Sequence, residues 1–251
     1  MDFSIAARLG LLLVRPGMLL AVAPGLGGTF LPTQAKIGLT VLIAIGLLPA
    51  VQMPAAIDGV TLVVVVAREA AVGLSLAFAV RALMAGAEFA GNLTGYSIGF
   101  SYGATIDPQS GVRNVVLATF YGLLATLGFL AINGHHAVLR ALAASYQSIP
   151  LGGGGLNASI VASVREILGM VFVVAVRLSA PIIVALLIVE VAVGLISRST
   201  PSLNFMVIGY PIRLVVGLAL VAVLVPTVPG VINSLVEAAI EMSGRLALAF
   251  R

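Results

Sequence analysis

Residues 99–103 read GFSYG, the G-x-S-x-G spacing that raises a nucleophilic hydroxyl on a sharp strand-to-helix turn in serine hydrolases. Asp107 and His135 follow in the order that a Ser-Asp-His triad needs. Acyl transfer is therefore the first chemistry to weigh, and three features oppose it. With 28 glycines in the chain, the spacing arises readily by chance. The flanking residues carry no strand pattern from which to build the elbow. Asp107 shares a local segment with Ser101, which is poor placement for orienting a distant histidine. An intramembrane serine protease, which needs no strand, is the residual enzymatic reading. No catalytic residue is assigned. His135 and His136 are adjacent, so on a helix they do not converge on one ion, and no matching acidic cluster lies nearby. GGGG (152–155) lacks the Lys-Ser/Thr of a phosphate-binding loop. No metal and no cofactor are expected.

Isolated charges are the second place where chemistry could sit. Arg68, Glu69, Glu88, Arg177 and Glu190 interrupt apolar sequence, and Arg198 and Arg213 belong with them. Ionisable side chains in such runs are energetically unfavourable unless paired or functional. A proton relay in a transporter is one reading. Ion pairs within the chain, or contacts to neighbouring subunits, are preferred. Arg68 and Glu69 are consecutive, so on a helix they point in different directions and need different partners.

Composition says what kind of element must hold these residues. Sixty-one per cent of the 251 residues are hydrophobic and 9 per cent are charged, against about 25 per cent charged in a soluble domain. Mean hydropathy is +1.19. Thirteen basic and nine acidic residues cannot furnish a water-facing surface, so the chain belongs in lipid or inside a large apolar assembly. The net charge of +4 comes without a polybasic run, leaving no footprint for nucleic acid. Absence of cysteine removes disulfides and thiolate metal sites. At the N-terminus Asp2 precedes Arg8, and Arg15-Pro16 breaks the apolar run; this reads as a retained first helix rather than a cleaved signal.

A helix needs about 20 apolar residues to cross the hydrocarbon core. Segments 37–57, 114–134 and 214–236 meet this outright, and 59–87 and 167–197 meet it if their internal charges are tolerated. With the N-terminal run, about six long helices are predicted. The β-branched runs at 60–67 and 169–176 do not alternate as barrel strands must, so the class is all-α. Lys and Arg are scattered, and the usual loop bias gives no orientation. Prolines at 16, 49, 54, 181, 211, 226 and 229 interrupt apolar segments, each deleting a backbone donor and bending its helix. In lipid the freed carbonyls need protein partners. Bent helices with solitary charges imply surfaces covered by other subunits. The stretch 145–159, with its four glycines, reads as a loop between two halves.

Gly91, Gly95, Gly99 and Gly103 recur every fourth residue, which on a helix leaves a stripe open to close backbone packing. Alternatively the stretch is partly unwound and lines or blocks an aqueous passage, since Gly103, Asp107-Pro108 and Gly111 are turn chemistry. Both readings hold together if the helix ends near Tyr102.

Several longer motifs accompany this stretch: RxGxxxxRPG (8–17), APGLGGTFLPTQAKIGL (23–39), REAAVGLSLAF (68–78), AGNLTGYSIGFSYGATIDPQSG (90–111), NGHHAVLRALAASYQSIPLGG (133–153) and SAPIIVALLIVEVAVGLISRSTPSLNFMVIGYPIR (179–213). Together they make the chain resemble the FliR family of bacterial flagellar export-gate proteins, and more distantly the injectisome counterparts. A common family form has Gln where Ser202 stands, and the acidic Glu190 is more variable.

The resemblance implies bent helical hairpins, with a FliP-like part over 1–155 and a FliQ-like part over 156–251, built into a helical multi-subunit gate in the bacterial inner membrane at the flagellar basal body. It implies FliP-like, FliQ-like, FlhB-like and FlhA-like partners and unfolded export substrates. It further implies that Gly99, Phe100, Ser101, Tyr102, Gly103, Ala104, Thr105, Ile106, Asp107 and Pro108 form a plug in the central passage. A secondary transporter with broken helices is the rival reading; it requires inverted halves, and no convincing internal repeat is visible.

Overall fold

The computed structural model of the chain describes residues 3–27, 31–51, 59–100, 115–153, 155, 157–199 and 205–250. Among these, every regular element is helical: α1 (Phe3–Val22), α2 (Thr33–Leu47), α3 (Gly59–Ile98), α4 (Val115–Ala131), α5 (Gly134–Ser148), α6 (Ser159–Ser199), α7 (Phe205–Leu224) and α8 (Val228–Leu248). Single 3-10 turns occupy Leu48–Ala50 and Val225–Thr227.

Two of the expected spans are broken. The helix predicted over 37–57 closes at Leu47, and Pro49 lies in the 3-10 turn that follows. At 15 residues α2 falls short of the about 20 that a crossing requires. The run 214–236 stops at Leu224, where Pro226 directs a 3-10 turn, and resumes as α8. Proline acts differently within α1, α6 and α7, where Pro16, Pro181 and Pro211 sit inside continuous helix. Two helices exceed expectation. α3 runs to Ile98 and supplies a 38-residue apolar span from Thr61, and α6 supplies one of 40 residues, Ser159–Arg198. With Gly209–Thr227 they make, among the described residues, three helices long and apolar enough to cross a membrane, or four if the broken pair Val116–Ala131 and Gly134–Ser148 counts as one.

The chain packs as two compact units, neither contiguous in sequence. The first comprises Met1–Leu83, Phe129–Gly169 and Ser234–Arg251. Its core draws Leu11, Leu12, Leu19 and Leu20 from α1, Val72, Leu76 and Val80 from α3, Val138 and Leu142 from α5, and Met242 and Leu246 from α8. The second comprises Met84–Gly128 and Met170–Asn233. Ile98 of α3, Leu117 of α4, Ile182 and Leu186 of α6 and Val221 of α7 form its core cluster, and the rings of Phe89 and Phe172 meet edge to face at 5.8 Å. This partition by packing crosses the sequence boundary near residue 155.

Candidate functional site: a buried ion pair and the capped end of α3

In the first unit α1 buries a regular stripe, residues 11, 12, 15, 16, 19 and 20, and Arg15 stands in the middle of it, fully buried. A guanidinium cannot remain there unpaired. Its partner is Glu69, also fully buried, and the fork is bidentate: Nε donates to Oε2 at 2.7 Å and Nη2 to Oε1 at 2.9 Å. The remaining donors go to α5. Nη1 donates to the Ser145 hydroxyl at 3.1 Å, and Nη1 and Nη2 both donate to the Ile149 carbonyl at 3.3 Å. All five guanidinium N–H groups are thus used, and the cation meets the C-terminal end of α5, where the helix dipole favours positive charge. The Tyr146 ring covers the guanidinium at 4.1 Å. On the carboxylate side, the backbone N–H of Gly152 donates to Glu69 Oε1 at 3.0 Å, from a turn in which Gly152 has φ +81°.

Two backbone features make this reach possible. Gly73, one turn beyond Glu69, lets α3 approach α1 so closely that a Cβ there would collide with the Arg15 carbonyl oxygen. Pro16 lacks an N–H, so the Leu12 carbonyl four residues back loses its helical donor; the Tyr146 hydroxyl donates to it instead at 3.3 Å. Segments RPG, REAAVG and SYQSIPLG, scattered along the sequence, therefore meet at one polar centre.

The second unit holds the end of α3. Phe100 N–H donates to the Gly95 carbonyl at 3.0 Å and Gly99 N–H to the Tyr96 carbonyl at 3.2 Å, with Gly99 at φ +101°. These two bonds with a left-handed glycine are a Schellman cap, so α3 stops at Ile98 rather than near Tyr102. The Tyr210 ring stands 3.0 Å from where a Gly99 Cβ would be, and Arg213 Cδ 3.9 Å. Arg213 pairs with Glu190, both about one-third exposed. Phe100 packs against the Ile98–Leu117–Ile182 cluster.

The other residues singled out from sequence are dispersed. Gly91 does serve close packing, since a Cβ there would stand 2.5 Å from the Leu117 carbonyl of α4, and Gly95 is buried one turn on. Glu88 is half-buried beside Gly122. Arg68, Arg177 and Arg198 are exposed, and no ion pair among the described residues involves them. Ser101, Tyr102, Gly103, Ala104, Thr105, Ile106, Asp107 and Pro108 lie outside the described residues, and with them most of the expected plug and two members of the supposed triad. Sequence reasoning named Glu69 and missed Arg15, Ser145, Tyr146 and Gly152. The available signal was Arg15 falling in step with leucines at 11, 12, 19 and 20.

The comparisons with known proteins follow this geometry. Residues 6–239 match the family of bacterial export proteins, family 1. The flagellar biosynthetic protein FliR of Escherichia coli K12 is 31% identical over 86% of this chain and 83% of its own length. That of Bacillus subtilis 168 is 26% identical over 95% and 94%. The surface presentation of antigens protein SpaR of Shigella sonnei is 29% identical over 55% of this chain and 53% of its own length. A match over nearly the whole sequence settles descent: this chain belongs to the FliR family of bacterial export proteins.

Proposed function

We propose that the chain is a pore-forming subunit of the flagellar type III export gate, passing unfolded flagellar proteins across the inner membrane. Family membership supports an export-apparatus component. The observation carrying the finer reading is the end of α3. A 40-residue helix terminates in a glycine cap whose Phe100 is seated on a hydrophobic core, which fixes the point at which α3 ends. In this reading 99–108 is the plug: Gly99 and Phe100 anchor it, and 101–108 occupy the passage at rest and withdraw when a substrate chain arrives. FliP-like and FliQ-like subunits complete the ring, a FlhB-like chain embraces it, and a FlhA-like chain delivers substrates. The FliP-like and FliQ-like parts divide near residue 155.

Deleting 101–108 while keeping the Gly99-Phe100 cap tests the plug. Ion conductance through the closed gate should rise while the complex still assembles; an unchanged leak in an assembled complex sinks the assignment. The likeness to SpaR favours injectisome use as a second reading, and rescue of flagellar export in a strain lacking its own FliR separates the two.

A further inference from the structure

In the second unit the core cluster has a polar end. On α6 the cluster contributes Ile182 and Leu186, and on α7 Val221. Gly217, one turn before Val221, lets α7 close on α3, since a Cβ there would stand 2.5 Å from Ile98 Cγ1. The next positions along these two helix faces are Glu190 on α6 and Arg213 on α7, and these are the residues that pair. Tyr210 continues the α7 face by one further turn and lies over Gly99. The last turn of α3 is thus met by Tyr210, Arg213 and Gly217 from one side of one helix.

Arg213 is held there by little. Its Nε is buried and has no acceptor among the described residues, so part of the guanidinium has lost water without gaining a hydrogen bond. Two things oppose that loss. Glu190 supplies the opposite charge. The C-terminal end of α3 favours a cation through the helix dipole, and the Arg213 stem stands beside it, with Cδ 3.9 Å from where a Gly99 Cβ would be. With Glu190 neutral the balance turns toward water, which this one-third-exposed side chain reaches by a change of rotamer. Gly99 then loses its cover. At φ +101° a glycine has many alternative conformations, and the cap bonds from the Gly99 and Phe100 amides depend on the one it holds.

We propose that Glu190 and Arg213 are positioning residues for the end of α3: their ion pair, bridging α6 and α7, keeps the Arg213 stem and the Tyr210 ring against Gly99 and thereby keeps the glycine cap formed. The consequence for export rests on the reading of 99–108 as a plug anchored at that cap, because a cap that loosens frees the base of the plug.

Hydrogen exchange at the Gly99 and Phe100 amides, followed by NMR of the full-length chain in detergent, tests it. Glu190→Gln, which keeps the size and removes the charge, should speed both at least threefold, and Arg213→Gln should do the same. Arg213→Lys, which keeps the charge and most of the stem, should stay near the parent. Amides of α1 from Leu11 to Leu20, in the first unit, should exchange as in the parent in all three variants. Parent rates at Gly99 and Phe100 in Glu190→Gln overturn the proposal, and so does an equal acceleration in α1, which marks general loosening. Conductance of the assembled, closed gate is the second readout: it should rise with Glu190→Gln and stay low with Arg213→Lys. Fast exchange with an unchanged leak upholds the positioning role and counts against the plug, whereas unchanged exchange sinks the positioning role whatever the leak.

Discussion

Arg15 and Glu69 show how a charge is kept where lipid-like packing surrounds it. Each has its opposite charge within 2.7–2.9 Å and further hydrogen bonds to Ser145, Ile149 and Gly152. Removing one partner strands the other, which for buried pairs lowers stability by about 3–5 kcal/mol, whereas removing both together is far less damaging. Arg15→Met or Glu69→Gln should therefore lower the thermal midpoint in detergent sharply, and Arg15→Met with Glu69→Leu should recover part of the loss. A double variant that falls as far as the two singles summed contradicts the pairing. The need for a partner to Glu69 was readable from sequence, because it interrupts an apolar run and its neighbour Arg68 points in a different direction on the helix. The partner's identity was not, since 54 residues separate it and Arg15-Pro16 read as an interruption of α1 rather than part of its buried face.

At the scale of elements, glycine spacing did two different jobs that look the same in sequence. Gly91 admits α4 to the backbone of α3, and Gly99, eight residues later in the same series, ends the helix. Long apolar runs foretold α3 and α6, because uninterrupted hydrophobicity continues a helix past any charge that finds a partner. The breaks at Pro49 and Pro226 were harder, since Pro16, Pro181 and Pro211 are carried within helices, and the residue type alone does not separate the two cases. A pair of substitutions separates packing from propensity. Gly91→Ala puts a Cβ against the Leu117 carbonyl and the Ala118 backbone, which cannot yield as a flexible side chain would, and should destabilise by about 1–3 kcal/mol. Gly169→Ala, on α6 with nothing within 4 Å, should stabilise by up to about 1 kcal/mol from helix propensity. Melting of the two variants in the same detergent gives opposite signs if the stripe is used for packing; like signs refute it.

For the whole molecule, the question is what covers the outward face of α6, where Phe172, Val173, Val176, Leu187, Ile188 and Val191 are exposed. Apolar surface alone is satisfied by lipid, but this face has something lipid cannot supply. Pro181 removes the donor for the Arg177 carbonyl, and both residues are exposed. In α1 the same lesion at Leu12 is repaired from within by the Tyr146 side chain; at Arg177 no side chain among the described residues does so. A free carbonyl and a guanidinium together on an apolar helix require a polar partner at that depth, and a neighbouring export component meets the requirement. Arg177→Glu should then lower the recovery of co-purifying export components several-fold while the melting temperature of the isolated chain stays within error of the parent, because no described residue of the chain pairs with that side chain. Arg15→Met should lower both, by unfolding the subunit before it can assemble. If Arg177→Glu leaves assembly intact, α6 is solvated by lipid after all, and the cover for its broken hydrogen bond must be sought in water.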